Sequence, residues 1–204
     1  MKLLFATGNN NKYLLMKERL KELEEIEVIT PKMLNINIEV NEDGINPTEN
    51  AVKKAKAYYD VTNIPTIAED SGLYIDKFND NEQPGLFVKR VNGIEGLSDE
   101  VILKHYIDLL NKYGGESLAC YHTGVCLIDS EGKINTDIIE ETKFLLTSNK
   151  YNGEMINGGV LDSISYDVNA KKYFPERTID DKKRHYDKLD NQYKELVKKY
   201  ILKK

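Results

Sequence analysis

The run Lys2-Leu3-Leu4-Phe5-Ala6-Thr7-Gly8-Asn9-Asn10-Asn11-Lys12 decides the fold class of this chain. Residues 2–6 read as a short apolar strand, residues 7–12 as a turn, and residues 13–23 as a helix with Leu14, Leu15, Leu20 and Leu23 at helical spacing. A strand, a tight glycine turn, small polar side chains and a helix start make backbone N–H groups and the positive helix end converge, which suits phosphate. Thr7 adds a hydroxyl, Asn9 an amide and Lys12 a full charge, whereas the GxxxxGK[ST] spacing of a P-loop is missing. Taken alone, a plain strand–helix turn explains these residues equally well.

Working outward, strands and helices go on alternating, which makes the chain α/β. Residues 26–29 are a second strand, and residues 31–46 a loop with a weak strand that carries Glu39, Glu42 and Asp43. A helix follows from Thr48, which can cap it, with Ala51, Val52, Ala55, Tyr58 and Tyr59 as its apolar stripe. Residues 65–68 form a strand that ends on Glu69-Asp70-Ser71-Gly72. Residues 98–113 are a third helix closed by Gly114-Gly115. Residues 118–128 and 134–146 alternate like a long hairpin turned at Ser130-Glu131-Gly132, and residues 179–204 form a charged amphipathic helix.

Composition narrows the function. The 204 residues suit a single domain, residues 1–204, and 40% apolar content is too much for a disordered chain. With 29 basic and 34 acidic residues the net charge is −5, so no basic field exists to hold a nucleic-acid polymer or an anionic membrane. Any anionic ligand must be gripped locally. There is no signal peptide and no apolar run of about 18 residues, so the chain reads as soluble and cytoplasmic. Cys120 and Cys126 sit on one strand, about 20 Å apart at roughly 3.3 Å per residue, too far for a disulfide. With His105, His122 and His185 scattered, no zinc spacing appears.

Two carboxylates after a buried strand, Glu69 and Asp70, are costly unless they bind a cation or stay solvated. Together with the Glu39–Asp43 acids and the Thr7–Lys12 cradle they point to Mg²⁺ and a polyphosphate, because Mg²⁺ takes oxygen ligands and shares them with phosphates. Lys54 can reach the same phosphates, while Lys53 faces solvent.

At this point the sequence resembles the inosine triphosphate pyrophosphatase family, which hydrolyses non-standard purine nucleoside triphosphates to monophosphate and pyrophosphate. Four stretches carry the resemblance in order: Thr7-Gly8-Asn9-Asn10-Asn11-Lys12; Asn41-Glu42-Asp43-Gly44 with Pro47-Thr48-Glu49-Asn50-Ala51 and Lys54-Ala55; Ile67-Ala68-Glu69-Asp70-Ser71-Gly72-Leu73; and Pro84-Gly85-Leu86-Phe87-Val88-Lys89-Arg90. The resemblance implies that Thr7, Gly8, Asn9, Lys12, Lys54 and Ser71 hold the triphosphate, and that Glu42 and Asp70 hold Mg²⁺. It further implies Asp70 as proton acceptor for the attacking water, with Glu69 in support and Glu39 as runner-up ligand. The fold it implies is a long mixed central sheet flanked by helices, in two lobes with the site in the cleft between them, and the assembly a homodimer.

The C-terminal half departs from the family pattern. Where the family has Gly-Phe-x-Tyr-Asp, with an aromatic stacked on the base, this chain has Gly158-Gly159-Val160-Leu161-Asp162, keeping only Asp162 of the distinctive side chains. Lys182 matches the family's later lysine. The Ser-His-Arg that reads a 6-oxo purine falls on Tyr186-Asp187-Lys188, or on Arg184-His185 if two residues are deleted. The expected activity is therefore pyrophosphate-releasing hydrolysis of ITP, dITP and XTP. The alternatives are the same chemistry with a different or relaxed base preference, and a nucleotide binder without turnover. Tyr166, Tyr173, Phe174 and Tyr186 are candidate replacement platforms for the base.

Overall fold

Side-chain alternation along the strands organises the computed structural model of the chain, which describes residues 1–154 and 159–204, with the side chain of His185 outside the description. The strands are β1 (Lys2–Phe5), β2 (Glu27–Ile29), β3 (Thr66–Ile75), β4 (Glu116–Ile128), β5 (Ile134–Glu140), β6 (Phe144–Thr147), β7 (Ser165–Asp167) and β8 (Lys172–Tyr173). The α-helices are α1 (Asn10–Arg19), α2 (Pro47–Thr62), α3 (Asp99–Lys112) and α4 (Ile179–Val197). The sheet runs β2-β1-β3-β4-β6-β7-β8 with β5 on β4, and is mixed: β1 pairs in parallel with β2 and β3, whereas β4, β6, β7 and β8 pair antiparallel. The chain divides into two compact units. The first holds Met1–Ser71, Thr123–Ile139 and Tyr186–Lys204; the second holds Gly72–His122 and Glu140–His185.

In the first unit, successive strand residues face opposite sides. Leu3, Phe5, Ile67, Val125 and Leu127 pack with Met16 and Leu20 of α1 and with Leu189, Tyr193, Leu196 and Val197 of α4. Their neighbours Ala6, Ala68, Cys126 and Ile128 pack instead with Ala51 and Ala55 of α2. Alanines on both surfaces let α2 lie close to the strands. Gly124 takes this furthest: a Cβ built there would meet Thr48 N and lie 2.6 Å from the carbonyl carbon of Pro47, so only glycine admits the first turn of α2.

The second unit buries Ile102, Tyr106 and Leu110, one face of α3, with Phe78, Ala119, Phe144 and Leu146. β4 shows the change of surroundings within one strand, since burial alternates at its start and is continuous from Thr123 to Ile128. The cysteines of β4 are free and buried. Burial raises the Cys120 thiol to about 11 and the Cys126 thiol to about 12, so neither is a nucleophile at neutral pH.

Several boundaries differ from those read in the sequence. α1 starts at Asn10 because Asn9 Oδ1 accepts from the N–H groups of Asn11 (2.9 Å) and Lys12 (3.3 Å), and it ends at Arg19. α2 is capped by Asn46 rather than Thr48: Asn46 Oδ1 accepts from Glu49 N at 2.9 Å, and Pro47 opens the helix. The weak strand expected in residues 31–46 is absent there, where a 3₁₀ turn, Pro31–Leu34, stands instead. The second hairpin arm is split into β5 and β6 by the polar residues 141–143. α4 stops at Val197 and passes into a π-helical turn, Lys198–Leu202. β7 and β8 are too short to leave a period in the sequence. Among the described residues no helix is long and apolar enough to cross a membrane.

The acidic start of α4 serves the fold. Asp181, almost fully buried, accepts from Lys172 Nζ (2.9 Å), Thr178 N (2.9 Å), Thr178 Oγ1 (2.8 Å) and Arg184. Thr178 Oγ1 in turn accepts from Asp181 N, closing a capping box. The Lys172 ammonium, then the Thr178 donors, hold the Asp181 carboxyl far below the usual carboxylate range. A group depressed on folding stabilises above its unfolded value, near 4, and that contribution fades as pH falls towards the folded value. Asp181→Asn is therefore expected to lower the melting temperature at pH 7, with the gap to the parent closing below about pH 4. Melting curves from pH 2 to 8 check this, and a gap that widens in acid would contradict it.

Candidate active site

Alternation explains why two adjacent acids do different things. Glu69 continues the Phe5/Ile67 side of the sheet and meets α1 and α4, whereas Asp70 continues the Ala6/Ala68 side and meets α2. Neither lies at a strand end, contrary to the expectation from sequence, because β3 runs on to Ile75. What ends there is the parallel neighbour: β1 stops at Phe5, opposite Ile67, and leaves the following residues of β3 uncovered. The chain of β1 turns away through Thr7–Asn9 into α1, and the space so opened is the site.

A cavity of about 290 Å³ fills that space. It is lined by Ala6, Thr7, Gly8, Asn9 and Lys12 together with Ile38, Val40, Glu42, Lys54, Tyr58 and Glu69, while Asp70 reaches it through Lys54. Thr7 Oγ1 accepts from Asn9 N at 3.1 Å and, with the Asn9 cap, fixes the turn. Gly8 is not the tight-turn glycine the sequence led one to expect. Its φ is not in the left-handed region and a Cβ would meet nothing within 4 Å, so its lack of a side chain keeps the cavity wall open.

α2 supplies the Asp70 partners from one face, at i and i+4. Asn50, 3% exposed, donates through Nδ2 to Asp70 Oδ2 at 2.9 Å and accepts from Gly44 N at 2.8 Å, so it ties the acidic loop to the strand. Lys54 Nζ lies 2.8 Å from Glu42 Oε2 and 3.7 Å from Asp70 Oδ1. One ammonium thus sits between two carboxylates from separate segments. Lys53 pairs with Asp43 at the surface, as the sequence reading had it facing solvent. Glu39 is exposed and lies outside the cavity wall that Ile38 and Val40 form.

Across the sheet, Glu69 is 8% exposed, its Oε1 3.3 Å from Lys12 Nζ and its Oε2 accepting from the Tyr193 hydroxyl. Ser71 shares a hydrogen bond of 2.7 Å with Thr123. The first unit therefore gathers Thr7, Gly8, Asn9, Lys12, Glu42, Lys54, Glu69 and Asp70, with Ser71 beside them on β3. Asp162 and Lys182 belong to the second unit. There Asp162 Oδ2 accepts from Gly159 N at 2.9 Å, at the head of a 3₁₀ turn, and Lys182 is exposed on the first turn of α4. Gly158 and the His185 side chain fall outside the described residues.

Sequence reading passed over Asn50 and Tyr193 as site residues. Both leave a signal: each is a polar group set in the buried stripe of its helix, beside Ala51 and Ala55 in one case and between Leu189 and Leu196 in the other. A buried amide or phenol needs a partner, and here the partners are the two acids.

For cation binding, no three His, Cys, Asp or Glu groups converge among the described residues. Glu42 and Asp70 nevertheless share the Lys54 ammonium, and two carboxylates a few ångströms apart match the oxygen donors that Mg²⁺ takes from protein while its other ligands come from water or a bound anion. The residues present fit a divalent cation that arrives with its anion.

The mixed sheet is that of known structures. The chain superposes on a HAM1 protein from Coxiella burnetii with a TM-score of 0.75 over 98% of this chain and 99% of that one, at 23% identity. The Staphylococcus aureus Ham1 protein gives a TM-score of 0.72 over 97% and 98%, at 24% identity. Residues 3–169 match the Ham1 family profile, and the chain belongs to that family. It is also similar to the dITP/XTP pyrophosphatase of Lactobacillus johnsonii, 31% identical over 88% of this chain and 86% of that protein. The protein of the same name from Thermoanaerobacter pseudethanolicus is 28% identical over 100% and 98%.

Proposed function

We propose that this protein is a Mg²⁺-dependent nucleoside triphosphate pyrophosphohydrolase that cleaves the α–β phosphoanhydride bond, releasing monophosphate and pyrophosphate. The observation that carries the reading is Lys54, which lines the same cavity as the Thr7–Lys12 turn and lies between Glu42 and Asp70. Two ammonium groups and a helix N-terminus are the equipment for a polyphosphate, and an acid beside them is the equipment for activating water.

In this reading the Asn9 cap and the α1 N-terminus receive phosphate oxygens, and Lys12 and Lys54 exchange their carboxylate partners for phosphates. Asn50 occupies Asp70 Oδ2, which leaves Oδ1 to accept the proton of the attacking water. The water oxygen bonds to phosphorus as the bridging oxygen leaves with pyrophosphate. Glu42 and Asp70 would hold the Mg²⁺, which supplies charge neutralisation on the phosphates. Lys12 and Tyr193 both engage the Glu69 carboxylate, so its part is to hold Lys12.

The L. johnsonii and T. pseudethanolicus relatives, dITP/XTP pyrophosphatases, support dITP and XTP as substrates, and ITP joins them on the resemblance in sequence. A second reading, the same chemistry with relaxed base choice, draws on the second unit. Leu161, where the resemblance expects a tyrosine, is 4% exposed within the core, and Gly159 offers no ring. Tyr151, Tyr166 and Tyr173 cluster there instead, with ring centroids 5.7 and 5.4 Å apart. Pyrophosphate release across ITP, dITP, XTP and the ordinary triphosphates separates the two. A preference of about 10² or more for the deaminated bases is expected on the first reading, and equal rates on the second. No release from any triphosphate would sink both.

A further inference from the structure

The Tyr193 hydroxyl reaches from α4 to an acid of the site, and packing alone does not explain it. The ring is 1% exposed inside the core between Leu189 and Leu196, where phenylalanine or leucine would fill the same volume. Its hydroxyl donates to Glu69 Oε2, and the other oxygen of the same carboxylate faces Lys12 Nζ at 3.3 Å. On the far side the Arg19 guanidinium lies 4.6 Å from the Tyr193 ring centroid and bonds through Nε to Asp190 Oδ1 at 2.8 Å. Arg19 and Lys12 both belong to α1, so one helix is gripped at its first turn through Glu69 and at its last turn through Asp190 and the ring.

We infer that Tyr193 is a positioning residue for the phosphate cradle, acting on Lys12 through Glu69. The inference rests on the reading of Thr7–Lys12 as the triphosphate site. With the hydroxyl on Oε2, Glu69 is oriented so that Oε1 holds the Lys12 ammonium at the cavity wall, ready for a phosphate oxygen. Without it the carboxylate is no longer held in that orientation, and the Lys12 ammonium loses its fixed place at the cavity wall. Lys12 touches phosphate before and during reaction alike, so its misplacement weakens binding more than turnover.

Tyr193→Phe tests this, because it removes one oxygen and keeps the ring on Arg19. KM for the magnesium–triphosphate, and the Kd of pyrophosphate by titration calorimetry, are expected to rise about tenfold, the scale of one lost hydrogen bond to a charged group, with kcat changed less than about threefold. Glu69→Gln is expected to produce the same weakening, and the double variant to be no worse than the worse single one. A structural role alone would lower the melting temperature and leave KM and pyrophosphate affinity at parental values. That result, or additive effects in the double variant, would overturn the inference. The two failures stay separable. A parent protein that hydrolyses no triphosphate removes the functional reading, whereas an active parent whose Tyr193→Phe variant binds pyrophosphate normally removes only the role of Tyr193.

Discussion

Asp70→Asn is expected to lower kcat by about 10²–10⁴-fold, the usual worth of a positioned general base, with little change in fold. Asparagine is nearly isosteric, and its side-chain oxygen can still accept from Asn50 Nδ2, so the link from α2 to β3 survives. What disappears is the basic oxygen beside Lys54 and one negative charge at the cavity. Lys54 then keeps Glu42 as its carboxylate partner and remains available to phosphate. The loss should accordingly appear chiefly in kcat at saturating Mg²⁺, with a higher Mg²⁺ concentration needed for half-maximal activity because Asp70 would also hold the cation. Steady-state kinetics with a thermal melt as control measure it. A variant that keeps more than about a tenth of parental kcat would mean that another group takes the proton.

Gly124→Ala is expected to give the largest loss of stability from a single methyl group in the first unit. The added carbon would sit 2.6 Å from Pro47 C and 2.6 Å from Thr48 Cα, backbone atoms that cannot rotate aside. α2 must therefore lift from β4, and overpacking of this kind costs about 1–3 kcal/mol or more. Because Asn50 and Lys54 ride on that helix, activity falls with stability even though residue 124 does not line the cavity. Denaturant unfolding and kcat/KM on the same preparation read both. Parental values for each would show that α2 moves at no cost.

Part of the cluster in the first unit was legible because its residues are close in sequence and obey local rules. Lys12 beside the Thr7–Asn11 turn and Lys54 on the inner side of α2 follow from local spacing, whereas the Asn9 cap was missed because the helix read as starting at residue 13. The division of labour between Glu69 and Asp70 was not legible. Both look alike beside a strand read as ending at Ala68, and only the longer β3, with α1 and α4 on one side and α2 on the other, sends them to different partners. Asn46 was passed over as the α2 cap because Pro47 separates it from the visible stripe. Tyr193 lies 124 residues from Glu69, a distance across which no periodicity speaks. The second unit was least legible. Its strands β7 and β8 span three and two residues, and the resemblance that picked out the Thr7–Lys12 and Glu69–Asp70 stretches loses its side chains there.

Phosphorus NMR of the products formed from ITP by the parent protein with Mg²⁺ tests the central claim most directly. Cleavage between the α and β phosphates yields inosine monophosphate and pyrophosphate in equal amounts, and with Asp70→Asn both signals grow at least about a hundredfold more slowly. Inosine diphosphate with inorganic phosphate, or undiminished monophosphate and pyrophosphate from the Asp70→Asn variant, would contradict it.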